Sequence, residues 1–328
     1  MRRMVIVLVV LALLVAFTTA LMAAPLARPL FRPMPWRAIS TFAFTVQTTD
    51  ASWVITKEIW GWNGVGFVRL VSIPTGRELH QPAFSPDGRF IAYAERLNGD
   101  LNIWVKDLRS GRSWKVTFGT EDAEPAWSPD GTKLTFKQGP WPAKVVTIDV
   151  TNLTQPGKPV RVSAAPEWAD EGHPTWGDGS IAWEVDLTDS GQTQIWKKIL
   201  ATGEITPEVQ DAESDATEPA LLGTRLAYTL MHTQVYFKDL GETGLGTPLP
   251  IPGTLPAWTP DGSGIYFSST ETNPADGTSK TGIVFASLDP DGISGVSWLT
   301  PQFNLASEPT AAFSRDVGNH RYLPKRGS

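Results

Sequence analysis

The sequence predicts an all-β fold: a six-bladed β-propeller of four-stranded blades, preceded by an N-terminal signal or anchor helix. Three observations predict it. A proline-led motif recurs six times at the spacing of one blade. Gly (29) and Pro (27) are plentiful enough to supply many tight turns. The first 24 residues are apolar behind two arginines.

Arg2 and Arg3 precede an apolar run from Met4 to Phe17, which resumes as Ala20–Ala24 before Pro25. A charged start and an apolar stretch describe an export signal, with Thr18-Thr19-Ala20 an acceptable cleavage site. The 21 residues from Met4 to Ala24 are also long enough to span a bilayer uncleaved. Residues 1–24 are therefore expected to be a signal peptide or membrane anchor. The body is expected to be exported, periplasmic or extracellular, touching the membrane only through residues 4–24. Residues 25–40, rich in Pro and Arg from Arg28 to Trp36, are expected to be an extended linker. The propeller is expected over 41–323, with 324–328 a tail.

Within the body, Gln81-Pro82-Ala83-Phe84-Ser85-Pro86-Asp87-Gly88 recurs as Glu124-Pro125-Ala126-Trp127-Ser128-Pro129-Asp130-Gly131 and as Leu255-Pro256-Ala257-Trp258-Thr259-Pro260-Asp261-Gly262. Weaker copies start at His173-Pro174, Glu218-Pro219 and Glu308-Pro309. The prolines at 82, 125, 174, 219, 256 and 309 are 43, 49, 45, 37 and 53 residues apart, the range of a four-stranded blade. Proline opens the innermost strand, where it sacrifices little of the ladder. Two residues on, an aromatic side chain lies on the same face and can pack between blades. Ser-Pro-Asp-Gly is a turn, in which Pro presets φ, Asp bonds its own backbone and Gly accepts positive φ. The next strand is apolar (Phe90–Ala94, Leu134–Phe136, Ile265–Phe267), and a third follows at Asn102–Leu108, Gln194–Ile199 and Gln234–Leu240.

Pro-Ala-aromatic-Ser-Pro-Asp-Gly, an apolar strand and then Ile103-Trp104-Val105-Lys106-Asp107-Leu108 resemble the WD-like propeller repeat of the TolB family, over about residues 40–323. The resemblance implies a propeller. It does not extend to the separate α/β domain that precedes the propeller in that family, for which Pro25–Ser40 are too few residues. Ring closure is expected from both chain ends sharing one blade. Thr41–Val46 would be its second strand, Phe67–Ile73 its third, and the segment from Pro309 to Phe313 its innermost, which shields the sheet edges.

Composition narrows the function. The net charge is −6 and there is no cysteine. An acidic body is a poor partner for phosphate backbones, so no nucleic acid is expected. Absence of Cys removes disulfides, thiolate metal sites and cysteine nucleophiles. The Asp-Gly pairs at Asp87, Asp130, Asp178 and Asp261 are explained by turn chemistry. Asp289-Pro290-Asp291-Gly292 and Asn98–Asn102 lack the spacing of a calcium loop. His80, His173, His232 and His320 form no close pair. No nucleophile elbow, phosphate loop or dinucleotide fingerprint occurs. No catalytic residue, metal site or cofactor is therefore assigned.

One cluster stands out. Asp122, Glu124, Asp170, Glu171, His173, Asp215, Glu218 and Glu308 lie just before inner strands, where the chain enters beside the central channel. Asp122, Glu124, Glu171, His173, Asp215, Glu218 and Glu308 are the candidate ligand-binding set, since one charge sign around a concave mouth attracts a cation or a basic segment. Trp104, Trp127, Trp176, Trp183, Trp196 and Trp258 sit at repeat positions and are expected in the core. Trp53, Trp60, Trp62, Trp141 and Trp168 lie outside the repeat and are candidate partner anchors. The expected function is a non-catalytic extracytoplasmic binding or scaffold propeller, engaging a protein, peptide or cation at its channel mouth. The alternative is a propeller enzyme of glycan lyase or hydrolase type with its active site at the same mouth.

Overall fold

The computed structural model describes residues 42–49, 55–62, 66–74, 77–187, 192–210, 215–272, 279–300 and 306–307. The expected signal or anchor, the linker, Trp53, Glu308, His320 and the tail lie outside them.

Six antiparallel four-stranded sheets make up the body. Blade 2 runs Glu78–Phe84, Phe90–Leu97, Asp100–Asp107 and Ser113–Lys115 from the channel outward. Blade 3 is Ala123–Trp127, Lys133–Gln138, Lys144–Asp149 and Val160–Arg161. Blade 4 is Asp170–Trp176, Ser180–Asp186, Thr193–Ile199 and Ile205–Val209. Blade 5 is Ala216–Leu222, Arg225–Leu230, Gln234–Asp239 and Thr247–Pro248. Blade 6 is Thr254–Trp258, Gly264–Thr272, Ser279–Asp289 and Gly292–Trp298.

Blade 1 closes the ring with strands from both ends of the body. Ala306–Ser307 is innermost and pairs with Phe42–Thr49, through Thr45↔Ser307 and Val46↔Ala306. Ile55–Trp62 and Phe67–Val71 complete it. The sequence reading is corrected in one respect: Ile55–Trp62 is the third strand and Phe67–Val71 the fourth. Lys57, Glu58 and Gly61 interrupt the apolar pattern of Ile55–Trp62 and conceal it. Trp60 and Trp62 are consequently half-buried within this blade, with Trp62 4.9 Å from the Phe67 ring, and are not surface anchors.

The repeat motif explains the local geometry. In the Ser-Pro-Asp-Gly turns, Ser128 Oγ donates to Asp130 Oδ1 (2.6 Å) and accepts from the Lys133 N–H (2.9 Å). Asp130 Oδ1 also accepts from the Thr132 N–H (3.0 Å), and Gly131 takes φ of 70°. Ser128 and the Thr132 N–H hold the Asp130 carboxyl below its ordinary range.

Contacts between blades come from the same motif. The Trp127 indole N–H donates to the Ala83 carbonyl of the preceding blade (3.0 Å), and Trp258 does the same to Ala220 (3.1 Å). Third-strand lysines reach back to the preceding blade's outer edge. Lys106 Nζ donates to the Leu70 carbonyl and Lys198 Nζ to that of Val162, each at 2.9 Å, while Lys238 meets Glu208 at 3.4 Å. Trp127, Trp183 and Trp258 are buried as expected, and Trp104, Trp176 and Trp196 are half-buried.

Asp130→Ala removes the side-chain acceptor from its turn. It should destabilise the fold by about 0.5–2 kcal/mol, the range for comparable side-chain caps. Urea denaturation of the purified variant measures this, and an unchanged midpoint would show that the turn does not depend on the carboxylate.

Candidate functional site at the channel mouth

Among the described residues, the residue before each inner-strand proline has an unusual backbone. Gln81, Glu124, His173, Glu218 and Leu255 have φ of 50°, 58°, 42°, 54° and 55°, all in the left-handed region that L side chains rarely adopt. Each sits in a register shift of its strand, such as that between Ala123 and Ala126. A bulge of this kind re-aims a side chain. At Gln81, Glu124 and Glu218 it sends the side chain to the next blade.

The result is a relay. Gln81 Oε1 accepts from the Glu124 N–H (3.1 Å), and Glu124 Oε2 accepts from the His173 N–H (2.6 Å). Histidine cannot continue the pattern as an anion, and Glu184 takes its place. His173 Nδ1 bonds Glu184 Oε1 (2.6 Å), and Glu184 Oε2 accepts from the Glu218 N–H (3.1 Å). Glu218 Oε2 then accepts from the Leu255 N–H and the Thr229 hydroxyl, both at 2.7 Å. The sequence reading overlooked Glu184, which lies on a second strand outside the motif. Its register partner Gly172 lacks the side chain that would displace it: a Cβ there would meet Glu184 Oε1 at 2.9 Å and Glu124 Oε2 at 3.1 Å.

The electrostatics follow from this crowding. Burial opposes the imidazolium of His173, but Glu124, Glu184 and Glu218 outweigh it and lift its pKa to about 10. Burial likewise opposes the Glu184 carboxylate, and His173, the Glu218 N–H and Lys137 hold its pKa below the ordinary range. Lys137 donates to Asp170 (3.2 Å), and despite burial its pKa is raised by Glu124, Asp170 and Glu184. The four carboxylates Glu124, Asp170, Glu184 and Glu218 thus face two cations, His173 and Lys137, which leaves a surplus of two negative charges. An open cleft of about 550 Å³ adjoins the ring between blades 2 and 3. His80, Gln81, Arg96, Glu121, Glu124, Lys137 and Trp141 line it.

Not every candidate reaches the mouth. Asp122 is 0% exposed and accepts from the Gly119 N–H (3.1 Å); burial pushes its carboxyl up. Glu171 is 1% exposed, accepting from the Val145 N–H (2.9 Å) and the Ser163 hydroxyl. Both are corrected from mouth residues to buried acceptors: they lie two residues before Glu124 and His173, on the side that simple alternation would share with them, and the bulge breaks that alternation. Asp215 is half-buried, accepts from the Thr193 N–H (3.0 Å) and lies 3.7 Å from His232. Glu124, His173 and Glu218 are brought together. Among the described residues no cluster of His, Asp and Glu has the arrangement of a metal site.

Comparisons with known proteins agree with the fold. No family model matches the chain. The chain is 27% identical over 221 residues to the uncharacterized peptidase YuxL of Bacillus subtilis, a match that covers 59% of this chain and 30% of that protein. Among solved structures, TolB from Acinetobacter baumannii is similar with a TM-score of 0.61 and 17% identity, over 84% of this chain and 67% of that one. A chain of the nidogen/laminin complex gives 0.55 and 13%, over 84% and 99%. A puromycin-hydrolyzing peptidase of Mycobacterium tuberculosis gives 0.51 and 17%, over 81% and 45%. The class is thereby defined as a six-bladed propeller, and TolB propellers are among its structural neighbours.

The channel pair predicts a pH profile. Folded His173 keeps its proton to about pH 10, whereas the unfolded residue loses it near 6.5. Its contribution is complete below pH 6.5 and is lost as pH rises towards 10. Glu184 acts oppositely, losing its contribution as pH falls through the acid range. Denaturation midpoints across pH should fall on both sides of a mildly acidic plateau, and His173→Gln should flatten the alkaline fall. An alkaline limb that is unchanged in His173→Gln would contradict the assignment.

Proposed function

We propose that this chain is a non-catalytic binding scaffold whose channel mouth engages a cationic segment of a protein or peptide partner. The observation that carries this reading is the surplus of negative charge in the relay. The carboxylates are fixed in place by main-chain donors, and each has more lone pairs than the bonds it accepts within the relay. Fixed acids in a concavity attract a cation without having to reorganise. The proposed contacts are Glu124, Glu184 and Glu218, with His173 and Asp215 at the edge. Glu308, which lies outside the described residues, is a further proposed contact.

The protonation states favour binding over the enzymatic alternative. His173 and Lys137 hold their protons and Glu184 holds its charge. A general acid or base works best with a pKa near the operating pH, and these three are moved away from it. The match to the peptidase YuxL covers 30% of that protein, and it keeps the enzymatic alternative as the second reading.

We also propose that residues 1–24 export the body to the periplasm or cell exterior and that residues 25–40 link it to that segment. A reporter enzyme fused after residue 40 should be active outside the cytoplasm, and cytoplasmic activity would overturn export.

Gln81 performs the relay bond with an amide, so Gln can replace Glu without losing the acceptor. Glu124→Gln with Glu218→Gln should therefore keep the relay bonds and the fold, with a midpoint lowered by the loss of two charges that support the His173 imidazolium, while weakening a hexalysine probe about tenfold by calorimetry at low salt. Added salt should weaken the parent in the same direction. Equal affinity in parent and double variant would remove the channel as the binding site.

A further inference from the structure

We propose that the outermost strand of blade 6, Gly292–Trp298, pairs antiparallel with the same strand of a second copy of this chain. An outermost strand carries main-chain donors and acceptors with no neighbour on one side, which invites another strand. The other five blades blunt that edge. Blades 2, 3 and 5 end in very short strands, Ser113–Lys115, Val160–Arg161 and Thr247–Pro248. Blades 1 and 4 end in five residues each, with Arg69 exposed in one and Pro207 and Glu208 interrupting the other. Blade 6 ends in seven, and Gly292-Ile293-Ser294-Gly295-Val296-Ser297-Trp298 holds neither a charge nor a proline. Ser294 to Ser297 are all exposed, so both faces of this strand are open as well as its edge.

The register settles which groups face outward. The shift between Ser287 and Leu288 leaves Ser294 as a bulge, and a regular edge begins at Gly295. Just beyond the strand, the Leu299 N–H donates inward to the Ile283 carbonyl (2.9 Å). Main-chain groups alternate along an antiparallel strand, so those of Ser297 also point inward and those of Val296 and Trp298 point outward. A two-fold axis between antiparallel strands keeps each side chain on its own sheet face. A residue can then stand opposite only itself or one an even number of positions away. Centred on Ser297, the axis sets Val296 of one copy opposite Trp298 of the other, each exchanging its N–H and C=O. Val296 is 37% exposed, and Trp298 lies on the same face, half-buried against its own blade.

The strand meets every requirement of its own occupant. It is neutral throughout, so no like charges oppose each other across the seam, and a charged segment would gain nothing there. Its outward positions hold a β-branched and an aromatic residue, which suit cross-strand pairing. The acids at its opening turn, Asp289 and Asp291, fall at opposite ends of an antiparallel seam and do not meet. One seam of strand pairing buries less than a standard interface, so the dimer is a weak one. It lies at the outer edge of a blade and does not rest on the acidic relay.

The test uses the full chain in a neutral detergent. Sedimentation equilibrium should show a monomer–dimer equilibrium with a Kd of about 10–100 µM. Val296→Lys puts a charge on the edge and should leave a monomer with the parent's denaturation midpoint. The chain contains no cysteine, so one introduced thiol reports on this contact alone. Facing residues of a non-hydrogen-bonded antiparallel pair stand about 4.5 Å apart at Cα, within reach of a disulfide. With oxidised glutathione as oxidant, Ser297→Cys should therefore cross-link into a dimer about tenfold faster than the equally exposed Ser294→Cys. A parent still monomeric at about 1 mM would overturn the proposal. So would a dimer that survives Val296→Lys, or equal cross-linking in the two cysteine variants.

Discussion

Blades of a closed ring must be bonded to one another, and at the four junctions from blade 2 to blade 6 the residue before the inner-strand proline supplies the donor. Proline fixes the following backbone, and the bulge turns its predecessor into the left-handed region. That residue's N–H points away from its own sheet and would be orphaned beside the channel. A side chain from the preceding blade accepts it. A buried donor left unmet costs about 1–3 kcal/mol, so the acceptor position tolerates few residue types. Gln81, Glu124, Glu184 and Glu218 all satisfy the demand. Leu255 cannot accept, and the chain of bonds stops there among the described residues.

Charge at the mouth is therefore a by-product of architecture that is available for recognition. An acceptor is needed at each junction, and an amide would serve, as Gln81 shows. That three of the acceptors are carboxylates adds a field that the architecture itself does not require. His173 limits the repulsion, since its imidazolium stands between Glu124 and Glu184. The outer locks are different in kind. The indole and lysine bonds join blades through main-chain carbonyls and Glu208 rather than through the relay.

The architecture was legible because its punctuation is local. Pro, the aromatic residue two positions on and the Asp-Gly turn announce each inner strand within eight residues, and the structure places a blade at every one that it describes. The third strand of blade 1 was not legible, because its polar residues break the alternation that marks a strand. The acidic row was visible, but its division was not. Asp122 and Glu171 differ from Glu124 only in which side of the strand they occupy, and the bulge at the proline upsets simple counting of sides. Glu184 carries no motif and acquires its part only by standing across from Gly172. Trp141 and Trp168 could be singled out because they fall between repeat positions.

The closing contact of blade 1 links residues at opposite ends of the body, Thr45 with Ser307. Contacts this remote in sequence form late, since a long loop must close before they yield anything. During synthesis five blades can assemble while the first still lacks its innermost strand, and its channel edge stays unpaired until Ala306–Ser307 emerges. Such an edge can capture another chain. The order of appearance thus makes completion of the final strand the step at which this protein ceases to be vulnerable to misassembly with its neighbours.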